Sequence, residues 1–177
     1  RASHCRGGGA DIMVRCPDVA TKYSIRGLTG GIATIQTSSG PVVDSSPLEA
    51  WTPEYPSYLQ DLRDTQPSNG CSCETGMDRR AINGKEFSEG RILHESYLGA
   101  VVERKINGWD HPYHQHVFPF QVISGFQDNS GYDRVGDWHD SVEGRGVIRY
   151  RPTEFAGKVM VHCHLLVHED EGMMAIE

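Results

Sequence analysis

Val161-His162-Cys163-His164-Leu165-Leu166-Val167-His168, followed by Met173, is the stretch from which the rest of the chain is read. Around one cysteine it gathers three histidines and a methionine. The residues leading into it, Lys158-Val159-Met160-Val161, read as a buried strand. Successive side chains of a strand point to opposite faces. His162 and His164 are therefore expected on one side and Cys163 on the other. One strand then serves two sites, with the cysteine backbone as a short covalent bridge between them.

A second stretch completes the donor set. His111-Pro112-Tyr113-His114-Gln115-His116 stands just before Val117-Phe118-Pro119-Phe120-Gln121-Val122-Ile123, which reads as strand. His114 and His116 share a face by the same period of two. His111 lies before a proline that keeps its backbone extended. By count, His111, Cys163, His168 and Met173 suit one trigonal copper with an axial thioether, the soft ligand set of a blue-copper site. His114, His116, His162 and His164 form a second group, made of imidazoles alone.

Each signal has a plainer reading by itself. A His-x-His on a strand is more often structural, and a lone cysteine before an apolar run is usually a small core residue. Zinc is a further alternative, but the gap from Cys163 through His168 to Met173 is unlike a zinc cage. Both clusters in one chain favour copper.

The chain has 177 residues and a net charge of −7, from 17 basic and 24 acidic side chains, which argues against a nucleic-acid partner. No run approaches the roughly 18 apolar residues of a membrane span. Short strand-like runs amid 20 glycines and 9 prolines favour an all-β fold. Apart from Cys163, the cysteines Cys5, Cys16, Cys71 and Cys73 are even in number, which suggests disulfides and an extracytoplasmic location. No signal-peptide pattern follows Arg1, so the chain is expected to begin inside a longer polypeptide or after a cleavage.

Along the chain, 10–16, 22–26 and 32–37 read as short strands, too few to close a sandwich. From 41 to 76, prolines and serines predict a linker, with helical turns at 48–51 and 58–62 and with Trp51 and Tyr58 as its anchors. The unit over 77–177 carries about six or seven strands, including an Asn83-Gly84 turn, and fits a Greek-key β-sandwich. His4 is read as solvated, His139 as structural, and the acids Asp128, Asp133, Asp137, Asp140 and Glu143 as a solvated face.

"HPYHQHVFPFQVI" and "GKVMVHCHLLVHEDEGMM" resemble the two copper motifs that close the last domain of multicopper oxidases, the laccase and bilirubin-oxidase group. The resemblance implies a cupredoxin-like fold over 77–177, preceded by the tail of another cupredoxin-like domain over 1–40. It implies type 1 copper on His111, Cys163, His168 and Met173, type 2 copper on His114, and a type 3 pair on His116, His162 and His164. Glu169 or Asp170 is then expected to deliver protons. The implied reaction takes single electrons from a small reducing substrate and reduces O2 to water. The implied partner is an N-terminal cupredoxin domain, on the same polypeptide or another, that supplies the missing histidines. A blue-copper electron-transfer module, a structural remnant without turnover and a copper nitrite reductase are the alternatives.

Overall fold

The computed structural model describes residues 14, 16, 20–27, 30–40, 46, 54–126 and 133–177. The strand expected over 10–16 and the helical turn at 48–51 with Trp51 fall wholly or largely outside these residues, as do His4, Cys5 and Asp128. The chain divides into two units, Asp11–Pro56 and a larger one that contains Ser57–Glu177.

In the smaller unit, β1 (Lys22–Gly27) and β2 (Gly30–Gln36) pair antiparallel, with Tyr23 opposite Ile35. Ile25 and Ile32 are exposed on this two-stranded ribbon.

The larger unit is an all-β sandwich. One sheet has the order β4-β3-β5-β10-β7-β8 and the other β12-β11-β6-β9. Their ranges are β3 Ser72–Asp78, β4 Ala81–Ile82, β5 Val102–Asn107, β6 Tyr113–Gln115, β7 Phe120–Gly125, β8 Trp138–His139, β9 Ser141–Val142, β10 Arg145–Tyr150, β11 Met160–Cys163 and β12 Met174–Ile176. A short helix, α1 (Leu166–Asp170), joins β11 to β12. Val102, Ile106, Phe120, Val122 and Ile148 from the first sheet meet Tyr113, Val161 and Ala175 from the second in one buried core. Each valine, isoleucine or phenylalanine among them contributes about 1.5–3 kcal/mol of burial.

One core position is charged. Along β5, Val102, Arg104 and Ile106 face inward by the period of two, and Arg104 is fully buried. Its guanidinium donates to Glu177 Oε2 and to the Tyr113 hydroxyl, each at 2.5 Å, and to the Tyr150 hydroxyl at 3.3 Å. Burial works against its charge, but Tyr113 and Glu177 outweigh that, and Arg104 is held well above its usual range.

The linker expected through residue 76 ends earlier. Residues from Ser57 belong to the larger unit, and Ser72–Asp78 pairs in parallel with β5. The helical turn expected at 58–62 is absent, and Tyr58, expected as an anchor, is 62% exposed. Leu62 anchors the strap instead: its side chain is buried, its N–H donates to Gln121 Oε1 at 2.7 Å, and its carbonyl accepts from Arg149 at 2.9 Å. Arg149 also satisfies the carbonyls of Arg63 and Thr65. A polar segment can thus be tied to a sheet by one apolar plug and one guanidinium that pairs its backbone oxygens.

The expected disulfides do not form among the described residues: Cys16, Cys71, Cys73 and Cys163 are free thiols. Cys71 packs in the core, and Cys73 Sγ accepts from Arg104 Nε at 3.3 Å. Burial pushes the Cys73 thiol up, partly offset by Arg104. The expected extracytoplasmic location leaned on those disulfides and loses that support.

Candidate metal centre

The two motif strands lie side by side. β11 pairs antiparallel with β6, with Cys163 opposite Tyr113 and His162 opposite His114. Partners in such a ladder point to the same face. Tyr113 and Cys163 enter the buried core, while His114 and His162 emerge together on the other face. α1 then returns the chain so that His168 meets His111.

The first donor group is a triangle. His111 Nδ1 stands 3.1 Å from His168 Nδ1, and Cys163 Sγ is 3.9 and 3.8 Å from these two nitrogens. Ligand bonds of about 2.0–2.3 Å to nitrogen and sulfur, as tabulated for zinc, can span all three edges from one ion. Burial pushes the Cys163 thiol up, partly offset by the Leu165 backbone N–H. A cation beside it supplies the charge that a thiolate needs there. Met173 is fully buried in the same core; its N–H donates to the His168 carbonyl at 2.9 Å and its carbonyl accepts from Cys163 N–H at 3.0 Å.

The second group holds imidazoles only. Donor nitrogens of His114, His116 and His162 lie within 4.8 Å of one another. The His164 ring centroid is 5.1 Å from that of His114 and 5.9 Å from that of His162. His114 Nδ1 donates to the Asp140 carbonyl at 2.9 Å and faces Ser141 Oγ at 2.8 Å. His162 Nδ1 donates to the Cys163 carbonyl at 2.9 Å. A carbonyl only accepts, so both Nδ1 atoms carry the proton and both Nε2 atoms present lone pairs. His116 Nε2 and His162 Nε2 are 2.9 Å apart, a contact that a shared proton or a cation must bridge. Burial holds His114 below the ordinary histidine range, and His162 adds to this. Burial lowers His162 too, against the Cys163 carbonyl and Glu169, which pull it up.

The two carboxylates of the sequence reading separate here. Glu169 Oε2 is 3.5 Å from His162 Nδ1, whereas Asp170 is exposed. His139 sits 3.6 Å from Asp133. Other participants had escaped the sequence. The Asp140 carbonyl and Ser141 orient His114, and backbone carbonyls carry no residue signature. A cleft of about 990 Å³ opens onto His111, lined also by Asp78, Arg79, Glu86, Trp109 and Asp110. Trp109 is exposed, with the Arg145 guanidinium 3.1 Å from its ring centroid. Its backbone has a positive φ of 51°, just after Asn107-Gly108.

The fold and this paired arrangement describe a β-sandwich domain with two donor groups able to hold metal ions. The family model "Multicopper oxidase" matches residues 52–176. The chain is 30% identical over 142 residues to bilirubin oxidase of Albifimbria verrucaria, covering 70% of this chain and 25% of that protein. It is 34% identical over 116 residues to multicopper oxidase mco of Staphylococcus aureus, covering 56% of this chain and 24% of the other. It therefore spans about a quarter of the length of these curated relatives. A laccase from Pediococcus acidilactici superposes with a TM-score of 0.68 at 24% identity, over 90% of this chain and 36% of that one, a likeness of fold. The chain belongs to the multicopper oxidases, an oxidoreductase family whose cofactor is copper. A thiol among imidazoles in one group, and imidazoles alone in the other, fit that metal.

Proposed function

We propose that this chain is the electron-entry part of a laccase-like multicopper oxidase. His111, Cys163, His168 and the thioether of Met173 would hold type 1 copper. His114 serves type 2 copper, and His116, His162 and His164 serve the type 3 pair. Bound copper supplies one-electron transfer at the first group and four-electron reduction of O2 to water at the second.

The observation that carries this reading is the division of labour around one residue. Cys163 closes the donor triangle, while its neighbours His162 and His164 stand in the imidazole group. Two sites are thereby joined through a few covalent bonds. The cleft over His111 admits a small reducing substrate beside a ring whose Nδ1 faces Cys163. Glu169, 3.5 Å from His162, is placed to pass protons toward the second group, and the exposed Asp170 has no such placement.

The imidazole group is open. His116 is exposed, and four histidines are fewer than two per metal for three ions. The remaining ligands come from another cupredoxin domain, on the same polypeptide or a partner. This openness also favours a second reading, a blue-copper module that transfers electrons without reducing oxygen itself.

Oxygen uptake with a reducing phenol, with copper counted per molecule, separates the two. The chain alone is expected to bind one blue copper without turnover, and to support sustained uptake once joined to the domain carrying the missing histidines. Failure of the joined protein to consume oxygen favours the electron-transfer module. Sustained turnover by the chain alone contradicts the open cluster.

A further inference from the structure

Val117 has φ +67°, and the Phe118 N–H donates to the His116 carbonyl at 2.8 Å. These features describe a three-residue γ-turn of the positive-φ kind, which is rare and strained, more so for a β-branched side chain. Such strain persists only where the surroundings over-determine the backbone. Here they do so from both sides. His116 N–H is held by the Met160 carbonyl at 3.0 Å, Phe118 is buried in the core, and the Phe118 carbonyl accepts from Gln115 Nε2 at 2.9 Å.

Gln115 is 1% exposed and uses both ends of its amide. Its Oε1 accepts from the Tyr113 hydroxyl at 2.8 Å while its Nε2 reaches Phe118. The direction of this chain follows from its far end. Arg104 can only donate, and it donates to the Tyr113 oxygen, so the Tyr113 proton goes to Gln115 Oε1. The amide is left with its NH2 toward the Phe118 carbonyl. Gln115 N–H meanwhile donates at 3.0 Å to the same Asp140 carbonyl that orients His114. The buried Arg104–Tyr113–Gln115 chain thus ends on the turn from which the His116 ring springs.

We propose that Gln115 is a positioning residue for the imidazole group: through the strained turn at Val117 it aims His116 at His162. This rests on the reading of that group as a copper site. Gln115 itself is not a ligand. A residue of no chemical signature between two histidines is, on this account, what keeps the exposed one pointing inward.

The test uses the metal-free chain and proton NMR contacts between histidine rings. In Gln115→Met the His116–His162 contact is expected to vanish while the His114–His162 contact persists. Tyr113→Phe, which keeps the amide in place but releases its orientation, is expected to weaken the first contact only. Val117→Gly should raise the thermal midpoint by relieving strain, yet also loosen His116. A His116–His162 contact of wild-type strength in Gln115→Met overturns the proposal. If that variant does not fold, an unchanged contact in both Tyr113→Phe and Val117→Gly overturns it instead. Copper titration of the chain joined to the domain carrying the missing histidines, followed by electron paramagnetic resonance, adds the functional arm. Binding at the imidazole group should weaken by about 10-fold or more in Gln115→Met, with the Cys163 triangle unaffected. If the joined wild-type protein binds no copper at the imidazoles, the site reading fails while the ring contacts still judge the positioning.

Discussion

Met173 and Cys163 are joined by their backbones: the Cys163 N–H donates to the Met173 carbonyl at 3.0 Å. The next residue, Met174, lies in β12 opposite His162. Two adjacent methionines thus stand against different donor groups. Met173 is fully buried, and in the proposed type 1 site its thioether would be a weak donor to the oxidised metal, so Met173→Leu is expected to keep the blue colour and raise the reduction potential. Met174→Leu is expected to leave the potential near its starting value. Redox titration of the visible band decides between them; a shift in Met174→Leu alone reverses the assignment.

The imidazole group also predicts an acid-sensitive stability in the metal-free chain. His114 and His162 are held below the ordinary value of 6.5 in the folded state, chiefly by burial. The unfolded chain therefore binds more protons as pH falls below that value, and folding stability declines over that window. Above it, their contribution is fully present. Asp61, held far below the carboxylate range by its hydrogen bonds with Arg63, begins to lose its contribution only as pH falls past the ordinary carboxylate value of 3.8, below the histidine window. Urea midpoints measured from neutral pH downward should fall on acidification, with a shallower slope in His114→Gln and in His162→Gln. A flat profile in wild type would contradict the burial argument.

That these histidines and Cys163 gather in two clusters was legible because their chemistry is rare and their spacing matches strand geometry. Cys163 and His162 fall on opposite faces as the period of two requires, and Asn83-Gly84 turns with φ of 51° and 71° as its composition predicts. What escaped was non-local. In Glu103-Arg104-Lys105 nothing in the sequence singles out the charge that enters the core, because its partner Glu177 lies 73 residues away. The strap at Leu62 reads as linker because its backbone oxygens are satisfied by Arg149, far along the chain. Orienting groups such as the Asp140 carbonyl belong to the backbone and have no letter to read.

The buried pair makes a prediction of its own. Arg104 and Glu177 have side chains 0% and 7% exposed, and the Tyr150 hydroxyl also donates to Glu177. Removing one charge strands the other, which costs about 3–5 kcal/mol, whereas replacing both with apolar groups of similar size is often near neutral. Glu177→Gln and Arg104→Met should each be strongly destabilising by urea denaturation. The double variant Arg104→Met/Glu177→Leu should be more stable than either. Additive losses would mean that Arg104 stabilises the core mainly through Tyr113 and Cys73, with Glu177 incidental.

Two glycines separate backbone strain from steric clash. Gly84 has φ +71° and open space where a Cβ would stand; Gly125 has φ +78°, but its Cβ would lie 2.4 Å from the Arg145 carbonyl oxygen and 2.5 Å from Gly146 Cα. Gly84→Ala therefore carries only the left-handed penalty, roughly 1–2 kcal/mol. Gly125→Ala carries that penalty and must also push β7 off β10 where Gly125 faces Gly146. Those two strands are central to the larger sheet, so the displacement reaches Val122 and Ile148 in the core. Thermal melts should show a modest shift for Gly84→Ala and a much larger one, or loss of the folded state, for Gly125→Ala. Equal shifts would show that the β7–β10 contact yields without cost to the packing beneath it.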